Sequence, residues 1–377
     1  MKKILINGQS LSEKNPGGVA YYTYHLVSYI ANSQPKFSID VVFEPPISKS
    51  FEESLNLLQT QKKITLSPIS LKYLWTQLGL AFYTFLHINN ILFSTVHTLP
   101  LISNPFTKKV LTVHDVGFEK YHSLVDAGLN SASLKRAVKL AHKIIAVSEY
   151  TKSRLIELLK VNPDKIEVIY EGVDVERYND AKNDTVRVEE VKTKYKLANY
   201  ILFVGTIQPR KNLKNQFLAF SKFNSEASRL EDIDFVVAGA NGWQFEDILE
   251  YPEQINIKER VKFLGRVEDS DLPYLIAGAK FLSFVSFEEG FGLPMLNAFS
   301  SGVPVVTSNT SALAEIGAGV AVLVSPENID QIADAYRTVY FNEILRADLI
   351  DKGLKKAQMF TWDKAAQHTI EFFNSLI

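Results

Sequence analysis

The chain has 377 residues, too many for one typical domain and suited to two. Its net charge of −1 provides no whole-protein field that would draw nucleic acid, and with no cysteine it can form no disulfide and no cysteine-held metal site. Hydrophobic residues make up 46% and charged residues 22%, the balance of a soluble globular protein; the absence of cysteine is compatible with a reducing cytoplasm, the expected setting, and no nucleic-acid partner is expected.

In chain order, Met1–Gly8 has a basic start but only a short apolar run, which predicts a first strand and turn, not a signal peptide. Short apolar runs then alternate with helical patterns. The predicted strands of the first half are Lys3–Asn7, Ile39–Phe43, Ile91–Ser94, Val110–Val113, Lys143–Val147 and Ile166–Tyr170. Those of the second half are Tyr200–Val204, Phe235–Ala238, Val261–Leu264, Lys280–Ser286, Pro304–Thr307 and Ala321–Val324. Val/Ile/Leu-rich runs bounded by Gly, Pro, Asp or Ser suit strands buried on both faces of a parallel sheet. Their alternation with helices predicts an α/β fold of doubly wound sheets.

Leu71–Phe93 contains Lys72, Gln77, His87, Asn89 and Asn90. A spanning helix needs roughly 20 nearly uncharged residues, so a partly buried helix followed by a strand is predicted here. Trp75, Phe82, Tyr83 and Phe85 are expected in the core, with a bilayer surface as the alternative. Asp174–Ala198 is rich in charge and separates two strand-rich blocks, so it is the expected seam between domains.

Several strand ends carry residues suited to ligands, and ligands of such sheets bind beyond the carboxyl ends of the strands. Gly17-Gly18 opens a helix where bare backbone permits close approach. His114-Asp115 follows Val110–Val113, and Ser148-Glu149 follows Lys143–Val147, where Ser148 could instead cap the next helix. Gly205-Thr206-Ile207-Gln208-Pro209-Arg210-Lys211-Asn212 places two cations where they could neutralise a diphosphate. In the run from Glu288 to Phe299, a Gly-Phe-Gly turn leads to Pro294 at an expected helix start, the arrangement of an anion site. Glu289 stands before that turn and suits sugar hydroxyls better than phosphate. Asp232-x-Asp234 and Asp269-x-Asp271 fit a metal-binding spacing, but Asp269 and Asp271 read better as helix-start residues. No His pair stands at ligand spacing, so no metal is expected.

Taken together, from Gly17-Gly18 to Phe360-Thr361-Trp362, these motifs resemble the retaining family-4 glycosyltransferases of the GT-B fold. The resemblance implies two Rossmann-like domains, 1–178 and 199–359, facing across a cleft, with helix 360–377 crossing back to the first. It implies that His114 and Glu289 orient the transferred sugar and that Arg210, Lys211, Gly18, Gly292 and Leu293 meet the donor diphosphate. Backbone at Arg266 and Val267 would meet the base and Asn297 the ribose, while Gly17, Asp115 and Ser148 would line the loops between donor and acceptor. Two positions depart from the family pattern: Asn297 stands where a second Glu is expected, and Thr206 where many members have Arg. Arg210 could supply that guanidinium. The Pro-Arg-Lys-Asn segment looks most like that of mannosyltransferases, which favours GDP-mannose as donor and leaves UDP-sugars open. No cofactor is implied. The implied setting is cell-surface polysaccharide or glycolipid assembly on a saccharide or lipid-linked acceptor, with a peripheral contact at the inner face of the plasma membrane as a further expectation. A non-catalytic GT-B subunit and a nucleotide-sugar epimerase are the alternatives.

Overall fold

The structure, a computed structural model, describes residues 2–71, 74–116, 124–226 and 233–377. The apolar runs become short parallel strands whose side chains are buried on both faces, as in Ile4–Asn7 and Tyr200–Phe203. Burial on both sides is what permits a continuous hydrophobic run in place of alternation. The chain divides into two units, Met1–Gly172 with Trp362–Ile377, and Val173–Thr361.

Among the described residues of the first unit, seven strands form one sheet. They are β1 (Lys2–Asn7), β2 (Phe37–Phe43), β3 (Thr65–Pro68), β4 (Ile91–Ser94), β5 (Lys108–Val113), β6 (Lys143–Ala146) and β7 (Ile166–Val168), in the order β3-β2-β1-β4-β5-β6-β7. All neighbours pair in parallel. The strand β3 was not predicted. The last helix, Trp362–Leu376, lays Trp362, Ala365, Ala366 and Phe373 into the core of this unit, against Tyr22 and Phe93 among others.

The second unit holds β8 (Asn199–Val204), β9 (Ile233–Ala238), β10 (Val261–Gly265), β11 (Phe281–Phe284), β12 (Val305–Ser308) and β13 (Val322–Val324), ordered β10-β9-β8-β11-β12-β13 and again parallel. The strand order reverses between β1 and β4 in one sheet and between β8 and β11 in the other. Loops diverge at such switch points and leave a crevice for ligands.

The expected seam is placed differently. Asp174–Ala198 folds mainly as two helices, Val175–Asn183 and Thr185–Lys194, that belong to the second unit and bury Tyr178, Ala181 and Val191 there. The side chains of Asp174 and Asp184 cap them. The high charge belongs to exposed helix faces with three-residue pairs such as Arg187–Glu190 and Lys192–Glu189, not to a linker. The chain passes between units at Gly172–Val173 and Thr361–Trp362.

Candidate functional site

The crevice of the second sheet is built by the loops after β8 and β11. The first contains the turn Pro209–Lys211, and its main chain is stitched to the second by the Phe287 N–H donating to the Arg210 carbonyl at 3.0 Å. Asn212, at φ 57°, reaches across to donate to the Val285 carbonyl at 3.0 Å. Gln216 holds the Lys211 carbonyl at 2.8 Å. The frame presents both cations to one carboxylate. Arg210 Nη1 lies 2.9 Å from Glu289 Oε2, and Lys211 Nζ lies 2.6 Å from Glu289 Oε1. Lys211 and Glu289 are both buried. Burial alone would raise the Glu289 carboxyl, but Arg210 and Lys211 outweigh it and bring it down to about 2. These three groups together carry a net charge of +1. The Arg210 guanidinium is turned inward, as a substitute for the Arg absent at Thr206 requires.

Gly292 precedes the helix Leu293–Ser300 at φ 112°, and a Cβ there would stand 2.9 Å from Leu313 Cδ2. Glycine is demanded on both counts. Leu293 takes the first helical position, so Pro294 sits one residue later than expected. Asn297 is 9% exposed, and its side-chain amide has no hydrogen-bond partner among the described residues. The amide is not fully enclosed, so it can bond a ligand that enters the crevice. Arg266 is exposed and Val267 buried just after β10. A cavity of about 600 Å³ opens beside the Arg210 turn, lined by Pro209, Lys214, Gln244, Asp247 and Phe287 among others.

In the first unit, His114 follows β5 and is fixed at both ring nitrogens. Nε2 lies 3.0 Å from the Thr95 carbonyl and Nδ1 lies 2.8 Å from Glu171 Oε1. A carbonyl only accepts, so Nε2 carries a proton, and Nδ1 faces the Glu171 carboxylate. The His114 main-chain N–H donates to His97 Nε2 at 3.0 Å. Burial, then the neighbouring His114, hold His97 down to about 4, which keeps it neutral and able to accept. Tyr22 packs edge-on against the His114 ring at 4.7 Å. At the β1/β4 switch point, Asn7, Ser94, Thr95, Thr23 and Ser10 form a buried polar network. A cavity of about 300 Å³ opens there, lined by Gln9, Ser10, Ser12, Glu13, Glu44 and Val96. Gly17 and Gly18 are exposed at the start of the helix Gly18–Asn32, and Gly18 has open space where a Cβ would go. Asp115 is partly buried beside His97.

Sequence reasoning missed Glu171, His97 and the carboxylates Glu13 and Glu44. Glu171 had a signal, a carboxylate just past a strand end in Tyr170-Glu171-Gly172. Ser148 is fully buried, and its hydroxyl accepts from the Thr151 N–H at 3.0 Å as the cap of helix Glu149–Leu159, the capping role the sequence also allowed. The paired aspartates have other work. Asp271 is buried against Lys194 at 2.6 Å and Arg187 at 3.2 Å, and it does not cap its helix. Asp234 lies 2.7 Å from Lys262, and Asp232 falls outside the described residues. No group of three or more His, Asp or Glu that could hold a metal lies together among the described residues.

Two parallel sheets with switch-point crevices define a GT-B glycosyltransferase architecture, and known proteins agree. The family described as Glycosyltransferase Family 4 matches residues 16–177, and Glycosyl transferases group 1 matches residues 187–356. The chain belongs to the family-4 glycosyltransferases. It is 29% identical to the O-antigen chain mannosyltransferase B of Escherichia coli over 71% of each chain. It is 28% identical to the O-antigen chain mannosyltransferase RfbU of Salmonella typhimurium over 64% of this chain and 65% of that one, just under two thirds of the relative's length. Among solved structures, Anabaena Alr3699/HepE in complex with UDP and glucose matches with a TM-score of 0.75 over 100% of both chains at 18% identity, a likeness of fold.

Proposed function

We propose that this glycosyltransferase moves mannose, with retention, from GDP-mannose to a hydroxyl of a saccharide or lipid-linked acceptor in surface polysaccharide or glycolipid assembly. The observation that carries the reading is the buried Arg210–Glu289–Lys211 cluster at the β8/β11 switch point. Its net positive charge suits a diphosphate, and its carboxylate suits the hydroxyls of the attached sugar. The mannosyltransferase relatives favour the sugar.

In this reading the acceptor hydroxyl oxygen bonds to the anomeric carbon as the bond to the diphosphate oxygen breaks. Attack comes from the face the diphosphate leaves, and the hydroxyl proton passes to the departing diphosphate. Arg210, Lys211 and the N–H groups at Leu293 stabilise the charge that develops there, in a site already desolvated. That role replaces a metal ion. His114, braced by Glu171 and Thr95, orients the sugar. Asn297 completes its unmet amide on the nucleotide ribose. The polar cavity at Glu13 and Glu44 receives the acceptor.

The test is transfer from GDP-mannose in EDTA to a panel of saccharide and lipid-linked acceptors, with the product anomer read by NMR. An α-mannoside supports the reading. A β-mannoside refutes retention, and loss of activity restored by manganese refutes metal independence. Turnover with UDP-sugars alone moves the donor. An altered donor sugar without acceptor identifies an epimerase, and nucleotide binding without turnover a scaffold.

A further inference from the structure

Hydrogen bonds at ring nitrogens run in the plane of an imidazole. The two that hold His114, Nε2 on the Thr95 carbonyl and Nδ1 on Glu171, therefore leave the ring free to tilt about the line joining them. Tyr22 sets that tilt, for its ring stands edge-on to His114 at 4.7 Å and 86°. Aromatic pairs of this kind are directional, so the orientation of one ring is passed to the other. Tyr22 is fully buried, and among the described residues its hydroxyl makes only a long bond, 3.4 Å to Thr112 Oγ1. A ring held so loosely at its tip takes its orientation from what packs beside it. That neighbour is Trp362, at 5.9 Å. Trp362 is buried as well, and it stacks on His25 at 5.0 Å and 16°. Tyr22 and His25 stand three residues apart on helix Gly18–Asn32, so they share a face, and the indole seats against both.

Trp362 also holds a particular place in the chain. It is the residue at which the chain returns to the first unit, and Glu171 stands one residue before Gly172, where the chain leaves it. The neighbours of these two residues are bonded to each other. The Val173 N–H donates to the Phe360 carbonyl at 2.9 Å, and Val173 pairs with Thr361 in a parallel bridge. Each crossing of the chain thus carries one brace of His114, Glu171 on Nδ1 and Trp362 by way of Tyr22. Phe373, fully buried on the same last helix, does only what core filling requires and packs on Phe37 and Phe93. We propose that Trp362 is a positioning residue for the transfer reaction: acting through Tyr22, it sets the tilt of the His114 ring, so the returning helix serves the chemistry as well as the core. The proposal rests on the reading that His114 orients the donor sugar, and it names the residue outside the site on which that orientation depends.

Variants of the full chain separate placement of His114 from loss of packing. Trp362→Leu removes the indole, Trp362→Phe keeps an aromatic ring in its place, and Phe373→Leu thins the core elsewhere on the same helix. Both leucine variants should unfold a few degrees below the parent. Only Trp362→Leu should move the imidazole NMR signals of His114 and lower kcat, by about tenfold or more. Its GDP affinity should equal the parent's, because Arg210 and Lys211 belong to the other unit. Trp362→Phe should bring kcat back to within about threefold of the parent. His25→Ala, at a partly exposed position, loosens the indole without emptying the core; it should move the same signals and cost about threefold in kcat. Signals that stay in place in Trp362→Leu, or in His25→Ala where Trp362→Leu does not fold, overturn the proposal. So do signals that move while kcat holds, and so does a Phe373→Leu that loses as much kcat as Trp362→Leu, since the loss is then one of packing. A parent that transfers nothing from GDP-mannose overturns the donor reading instead, and the His114 signals still decide whether Trp362 places the ring.

Discussion

Replacing Glu289 by Gln separates the two things its carboxylate does. In the structure it neutralises one of two cations, so the Arg210–Glu289–Lys211 cluster carries +1; with Gln it carries +2. A bound diphosphate then no longer faces a carboxylate. One unit charge at about 8 Å from another is worth on the order of 2 kcal/mol at an effective dielectric of about 20, and part of this is screened. GDP without sugar should therefore bind about tenfold more tightly to Glu289→Gln than to the parent. Turnover should move the other way. The carboxylate's hold on a sugar hydroxyl is lost where charge develops, so kcat should fall by about one to two decades. The unliganded variant should also be less stable, because two buried cations lose their shared partner, a loss of roughly 3 kcal/mol on removing one side of a buried pair. GDP should restore more stability to the variant than to the parent. Calorimetry with GDP, steady-state kinetics and thermal unfolding with and without GDP read the three effects. A variant that binds GDP more weakly than the parent refutes the charge argument, and one that keeps full turnover removes Glu289 from the reaction.

Asn297→Ala should weaken nucleotide binding by on the order of 1 kcal/mol, and Asn297→Glu should be tolerated; equal affinity of parent and Asn297→Ala would place the ribose elsewhere. Glu171→Ala should release His114 and cost about tenfold or more in kcat while leaving GDP affinity unchanged, since misplacement alone is expensive; unchanged kcat would show that the pair is structural. His97 is held neutral at about 4 when folded, below its ordinary unfolded value of about 6.5. The unfolded state takes up the proton first, so this contribution is present above about pH 6.5 and lost as pH falls toward 4, by on the order of 2–3 kcal/mol. Denaturant unfolding across that window should show the loss, and His97→Gln should flatten it; parallel curves would contradict the assignment.

The fold was legible wherever burial on both faces left an apolar run. Each of the twelve predicted strands is present, most to within one or two residues at either end. The thirteenth, Thr65–Pro68, is a partly exposed edge strand that ends in Pro, and nothing in so short a polar stretch distinguishes it from a turn. Asp174–Ala198 misled because charge on helix faces reads like a linker. The cations at Arg210 and Lys211 and the acid at Glu289 were each visible, but not that they pair. Nearly eighty residues separate them, and only the adjacency of β8 and β11 brings their loops together. His114 and Glu171 follow β5 and β7, which are not even neighbours, and meet across the end of β6. Around Phe82 the sequence failed for another reason. A helix apolar on both sides has no period that tells core from surface, so Phe82 and Phe85 were expected inside and lie outside, whereas Trp75 is buried as expected.

The central claim is that a nucleoside diphosphate sugar binds at the β8/β11 crevice through Arg210 and Lys211. Its most direct test is calorimetric titration of the parent and of Lys211→Ala with GDP-mannose, GDP and the UDP counterparts, without added metal. A charge-assisted contact to phosphate is worth roughly 1.5–3 kcal/mol, so binding by the parent and a loss of about one to two decades in Lys211→Ala are predicted. Absence of binding by any of these nucleotides, or equal affinity in parent and variant, would contradict the account.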